Sequence, residues 1–232
     1  MDYAANLLLT KDSNIQAIKN ELNDYLADRL SGGITSDRGS RQKIVTILLN
    51  IWLKHPEERR EFCQDAYKLL KTTHRTDWIV IYWGLTSTVY PFWADVAKHI
   101  GRLFNLQGQL TNLQVYRRLH ERHGDREIVS RATRSVVRSF VDWGILRQTE
   151  KKGVYKRELP YEIKRSELVS WLIEASLYNK EYNSSPFNEI FDNPQLFPFK
   201  IRNLSAEQLI DTSSRMEVFQ HGLDEKLIRL SK

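Results

Sequence analysis

Three arginines at steps of three and four residues, Arg131, Arg134 and Arg138, are the groups in this 232-residue chain whose type and spacing point most directly to a chemistry. On a helix turning about 100° per residue they stay within about 60° of one another, opposite Val129, Thr133, Val136, Val137 and Phe140. One face would then pack while the other presents guanidinium groups, which grip phosphates and read guanine edges. Shortly after, Lys151, Lys152, Lys156 and Arg157 gather around Gly153 and add more positive charge. A solvated arginine face alone needs no ligand, so the elements around these residues decide what they mean.

Those elements are readable from Gln109 onward. A short strand leads to Thr111, which Gln114 follows three residues later, so that each side chain can satisfy an orphan N–H at a helix start. Gly124 stops that helix, and Asp125 can cap the next one, which carries the arginines. Gly144 follows Trp143 where a left-handed cap would be needed. Ile145 to Thr149 and Val154 to Leu159 then frame Lys151-Lys152-Gly153 as a β-hairpin.

In this element order, and in the run Ser130-Arg-Ala-Thr-Arg-Ser-Val-Val-Arg-Ser-Phe-Val-Asp-Trp-Gly-Ile-Leu, the segment resembles the winged-helix superfamily of DNA-binding domains. The resemblance covers residues 91–160 and implies a helix lying in the major groove with its first turns at base edges. Carried over residue by residue, Arg126, Glu127, Ser130, Arg131 and Arg134 face the groove and Arg138 lies nearer the backbone. Lys151, Lys152, Lys156 and Arg157 are the wing's phosphate contacts, and Gln114 and Arg118 on the preceding helix join them as DNA-binding candidates. The implied partner is double-stranded DNA. The superfamily also includes wings used only for protein contact, so a protein-interaction subunit of a bacterial DNA-handling assembly, such as a restriction or phage-defence complex, is the alternative.

Charge distribution agrees with a polyanionic partner. The whole chain carries +6, but residues 98–165 hold sixteen Lys or Arg against seven Asp or Glu, a net of +9 that leaves −3 elsewhere. Cys63 is the only cysteine, which excludes an intramolecular disulfide and a cysteine-based zinc site and suits a reducing cytoplasm. No basic segment with an apolar run and a small-residue cleavage site begins the chain, so no secretory signal is expected. The longest apolar run, Trp78 to Leu85, falls far short of the ~20 residues needed to cross a bilayer, and no membrane partner is expected.

The fold expected is mainly α. A helical bundle occupies residues 1–90, a winged helix-turn-helix with a small hairpin wing follows over 91–160, and 161–232 add a helix, an arm and a hairpin. Asp12 and Ser13 can cap a helix carrying Ile15, Ile18, Leu22, Tyr25 and Leu26, ending near Ser31-Gly32-Gly33. Gly32 to Ser40 reads as a loop; it lacks the ending and the leading strand of a phosphate cradle. Gln42 to Lys54 is apolar nearly all round and predicts a core helix. Pro56 and Glu57 open the next, with Phe62, Ala66, Tyr67, Leu69 and Leu70 inward, Arg59 and Arg60 outward, and Cys63 as a small buried residue. Asp77 to Leu85 is read as a buried helix and Phe92 to Leu106 as the first helix of the winged domain. Beyond the wing, Ser166 to Tyr178 is a helix packed through Leu168, Trp171, Leu172 and Ala175. Asn179 to Lys200, with Pro186, Pro194 and Pro198, is an extended aromatic arm. Met216 to Gln220 and Lys226 to Leu230 form a hairpin around His221-Gly-Leu-Asp.

No catalytic constellation is expected, and no cofactor. Glu162 and Lys164, two apart beside the basic region, give a metal-dependent nuclease as the enzymatic alternative, although no upstream carboxylate on a strand matches them. His120 and His123 are three apart on a helix but fall beside Leu113 and Tyr116, which favours structural histidines over a metal pair. The sequence thus predicts a non-catalytic DNA binder whose N-terminal bundle dimerises or docks a partner.

Overall fold

The computed structural model describes residues 1–10, 14–27, 29, 37–158, 160–221 and 225–231. It is mainly helical with small sheets, and it divides into two compact units, residues 1–85 and 86–232. No helix among the described residues is long and apolar enough to cross a membrane.

The first unit holds α1 (Asp2–Thr10), α2 (Ile15–Ala27), α3 (Asp37–Trp52), α4 (Arg60–Thr72) and most of α5 (Trp78–Val89), which runs across the boundary. Helix α1 touches α2, α3 and α4, and α2 packs on α3. The Tyr3 and Tyr25 rings stack with centroids 3.6 Å apart, and the Tyr82 hydroxyl donates to Asp2 Oδ1 at 2.6 Å. Burial and the Asp2 carboxylate together hold the Tyr82 phenol well above its ordinary range. Trp52 is buried against Tyr67 and Tyr82, and Cys63 is buried as expected.

Two expectations change here, and a third falls on residues that are not described. Asn14 caps α2, its Oδ1 accepting the Ala17 N–H at 2.9 Å; the expected caps Asp12 and Ser13 lie outside the described residues, as do 31–36. Residues 37–40 belong to α3 instead of a loop, because a helix continues through Gly39 once the apolar residues behind it pack. Burial along α3 is one-sided, through Val45, Leu49, Ile51 and Trp52, and Ile47 is exposed. The near-continuous apolar surface therefore exceeds what this unit covers.

The second unit continues with α6 (Pro91–Leu106), β1 (Gln109–Thr111), α7 (Asn112–His123), α8 (Glu127–Asp142), β2 (Leu146–Gln148) and β3 (Val154–Arg157). These strands form one antiparallel sheet in the order β1-β3-β2. Then come β4 (Tyr161–Ile163), α9 (Ser166–Leu177), β5 (Ser184–Pro186), β6 (Phe199–Ile201), α10 (Ala206–Thr212), β7 (Met216–His221) and β8 (Glu225–Leu230). β4 pairs in parallel with β6, and β5-β8-β7 is a second antiparallel sheet.

Helix α9 was expected to pack by one face, yet every residue from Leu168 to Leu177 is buried. It is the central helix of this unit, touching α10, β4, β8 and the short helical turn Pro194–Leu196. The proline-containing stretch 179–200 is not free: Phe197 stacks on Phe104 at 5.5 Å and Phe199 meets Tyr161 edge-on at 6.0 Å. The expected C-terminal hairpin is present as β7 and β8, with the residues of its turn, 222–224, outside the described residues.

Close approach explains one glycine. Gly101 sits where α6 packs against Pro194–Leu196; a Cβ there would collide with the Pro194 carbonyl oxygen and lie 2.9 Å from Phe197 Cβ. A Gly101→Ala change should therefore destabilise the unit by about 1–3 kcal/mol despite alanine's better helix propensity. Urea denaturation checks this, and an unchanged midpoint would mean that the two elements separate at no cost.

Candidate nucleic-acid interface

The arginine-bearing surface is built on two consecutive caps. Thr111 Oγ1 accepts the Gln114 N–H at 3.2 Å and Gln114 Oε1 accepts the Thr111 N–H at 2.8 Å, a reciprocal capping box that starts α7 where the sequence places it. Helix α8 ends in a Schellman motif. Gly144, at φ +70°, donates to Val141 O at 3.0 Å, and Ile145 donates to Phe140 O at 2.9 Å. That turn releases the chain directly into β2.

Between the caps, Val129, Thr133, Val137 and Phe140 are buried, with Trp93 of α6 edge-on to Phe140 at 5.0 Å. Arg131, Arg134 and Arg138 are exposed on the other side. Their internal partners are weak: Arg131 Nε lies 3.5 Å from Glu127 Oε1, Arg138 Nε 2.9 Å from Asp142 Oδ1, and Arg134 Nε 3.5 Å from the Ser130 carbonyl. Exposed pairs of this kind contribute about 0–1 kcal/mol, so a phosphate can replace the carboxylate at little cost. Arg118 is held similarly by Glu121 at 3.3 Å. Arg126 occupies the N-cap position of α8 and is exposed, with no ion pair among the described residues.

Asp125 does not cap α8. Its carboxylate lies 3.3 Å from His120 Nδ1, and the N-cap residue, Arg126, makes no side-chain cap bond. His120 Nε2 is in turn 3.0 Å from Ser130 Oγ, which joins α7 to the first turn of α8. His123 lies 3.0 Å from Asp95 Oδ2, a carboxylate shared with Arg122 at 3.3 Å. The two histidines thus have separate partners. Among the described residues no cluster of three His, Cys, Asp or Glu could hold a metal ion.

The hairpin is anchored on the start of α7. Asn112 N donates to the Gly153 carbonyl at 3.0 Å and Asn112 Nδ2 to the Tyr155 hydroxyl at 3.4 Å, which leaves Lys151 and Lys152 exposed at the tip. Across the sheet, Lys156 faces Gln109 on one side and Arg147 on the other. These three exposed residues, with Gln148, Thr149, Glu150 and Lys151, line an opening of about 570 Å³. Arg147, paired with Glu158 at 3.0 Å, was missed in the sequence, although its position two residues before Thr149 puts it on the same outward parity as Lys156 once the register is known.

Three expected contacts are redirected. Arg157 cannot share the outward face of Lys156, because side chains alternate along a strand; it follows Tyr155 and lies opposite buried Leu146. Its Cζ lies 5.5 Å from the Phe197 ring centroid, behind the hairpin. Gln114 spends its carbonyl oxygen on the capping box and on Gln107 Nε2 at 3.2 Å. Ser130 is half-buried and engaged with His120. Arg126, Arg131, Arg134, Arg138, Arg118, Lys151, Lys152 and Lys156 remain exposed. Among the described residues no hydrogen bond or ion pair ties Arg131, Arg134 or Arg138 to the hairpin; α7 bonds to α8 through His120 and Ser130 and to the hairpin through Asn112 and Gly153, and α8 itself packs on β2. Glu162 on β4 stands opposite Lys200 of β6, both exposed.

His99, on the inner part of α6, carries a lowered pKa from burial first and from the Arg102 charge second, with Lys98 and Arg122 acting in the same direction and Asp95 against them. A depressed folded-state value means that the unfolded chain takes up the proton first. Stability is then present above the ordinary imidazole value of about 6.5 and is lost as pH falls below it. Thermal melts between about pH 7.5 and pH 5.5 should show a falling Tm that is shallower in His99→Gln. Identical slopes in the two proteins would remove His99 as a source of the dependence.

Compared with protein-family models, with curated proteins and with solved structures, the chain matches none.

Proposed function

We propose that residues 91–157 form a winged helix that binds double-stranded DNA, with α8 in the major groove and the β2–β3 wing on the backbone. The observation that carries this reading is the exposed row Arg131, Arg134 and Arg138 on the helix that follows the α7 turn and leads straight into a lysine-tipped hairpin. The order helix, strand, helix, helix, hairpin, with the first strand added to the hairpin's β3, supports the winged-helix part. The net +9 of residues 98–165 supports a polyanion as partner. Weak exposed ion pairs along α8 leave its guanidinium groups available. Arg126 and Arg131 lie in the first turns, where base edges are read, and Arg138 lies further along, nearer the phosphates.

Fluorescence anisotropy of the full chain on a random duplex, measured over a range of salt concentrations, tests the reading. Binding should appear with a Kd near or below ~10⁻⁵ M and weaken steeply, each phosphate contact adding about −0.9 to the slope of log K against log salt. Replacing Lys151 and Lys152 by Ala should flatten that slope by about two and weaken all duplexes alike. A salt-independent signal, or none, would instead turn attention to the surface as a protein-docking face in a larger assembly.

A further inference from the structure

Behind the wing, the inward turn of Arg157 leaves a guanidinium in an unusual setting. Its Nε is buried and has no hydrogen-bond partner, and among the described residues the side chain makes no ion pair. Burial holds its pKa below the ordinary arginine value. The side chain lines a cavity of about 330 Å³ between α6 and residues 191–201. That volume lies at the small end of ligand pockets. The α6 wall is bare backbone at Gly101 and an amide side chain at Asn105, one turn on. Opposite stand the rings of Phe197 and Phe199, both buried.

We propose that this cavity is a binding site for a small carboxylate ligand with a flat, apolar body. Arg157 lines the cavity, and a guanidinium there can meet a carboxylate in two-point geometry. The aromatic walls suit a ring, and the Asn105 amide can donate to a remaining lone pair of the carboxylate. Charge at the site selects a single negative charge. The described lining holds Arg157 and, at the exposed edge, Lys200, against one exposed carboxylate, Asp192. A phosphate dianion would meet only one desolvated cation there and would be repelled by Asp192. The site is separate from the exposed face of the wing, so it does not depend on the DNA-binding reading.

Calorimetric titration of the full chain with benzoate, beside benzamide and inorganic phosphate, tests the proposal. Benzoate should saturate a single site, with benzamide weaker by about tenfold or more, the loss expected when a charge-assisted contact becomes neutral. Arg157→Gln should lower benzoate affinity by a similar factor. Asn105→Leu, which removes the amide donor from an exposed helix position at the mouth, should weaken benzoate binding by severalfold, less than Arg157→Gln does, while the melting temperature stays close to wild type. If Arg157→Gln does not fold, the benzoate-to-benzamide ratio and the Asn105→Leu protein decide. Failure of benzoate to bind at millimolar concentration, equal binding of benzamide, unchanged binding in folded Asn105→Leu, or binding of phosphate in place of benzoate would each overturn the proposal.

Discussion

The triple change Arg131→Ala, Arg134→Ala, Arg138→Ala is expected to reduce duplex binding by about a hundredfold or more, each well-placed arginine contact being worth about 1–3 kcal/mol. The protein should stay folded. All three side chains are exposed, their internal bonds are surface pairs or a long contact to a carbonyl, and alanine is the best helix former. Loss of three positive charges anywhere weakens attraction to DNA, so the informative control removes three exposed cations from the first unit: Lys43, Arg60 and Lys68. A local groove contact predicts a large loss in the first protein and a small one in the second. Equal losses would mean that the chain responds to net charge alone and that α8 is not the groove element. Single changes then divide the row. Arg131→Ala, in the first turns, should relax discrimination between sequences more than it flattens the salt slope, and Arg138→Ala should do the reverse.

What could be foreseen about this surface was local in sequence. A capping box needs only Thr111 and Gln114, the helix stop only Gly144, and the arginine face only a period of 3.6 residues. Each of these signals acts within one or two turns of chain, and each is found where it was expected. The errors arise where a side chain has a competing partner or a direction set by tertiary pairing. Asp125 looked like a cap but is drawn to His120, which itself bridges to Ser130. Arg157 looked like one more basic residue of the wing; alternation along β3 already separates it from Lys156, but which of the two turns inward is set by the β1–β3–β2 register, which the sequence does not reveal. Helix α10 carries its own capping box, Ser205 with Gln208, and could have been found by the rule that located α7. The parallel pair β4–β6 could not, because its strands are three residues each and lie 35 residues or more apart along the chain.

Arg215→Ala is expected to be the most damaging single change in the second unit, costing about 3–5 kcal/mol. Glu174, on the central helix α9, has no exposed surface, and both of its carboxylate oxygens are satisfied from one short segment. Arg215 Nε donates to Oε1 at 2.7 Å, and Arg215 Nη2 and Ser213 Oγ donate to Oε2 at 3.1 and 3.0 Å. These bonds fix the chain between α10 and β7 against α9, and so set where the β7–β8 hairpin begins. Removing Arg215 leaves the buried Glu174 carboxylate without its guanidinium, with Ser213 Oγ still donating to Oε2. Glu174→Ala should cost less, because the Arg215 side chain is 18% exposed and can turn its charge toward solvent. Glu174→Gln should fall between, keeping the shape while losing the negative charge and turning one acceptor oxygen into a donor. With total stabilities of about 5–15 kcal/mol for domains of ordinary size, the arginine change alone brings the unit close to unfolding at 37 °C. Urea melts of the three variants rank these costs. Arg215→Ala as stable as Glu174→Ala would show that the carboxylate finds other donors or water once its partner is gone, and that the pair orders this junction without holding the fold.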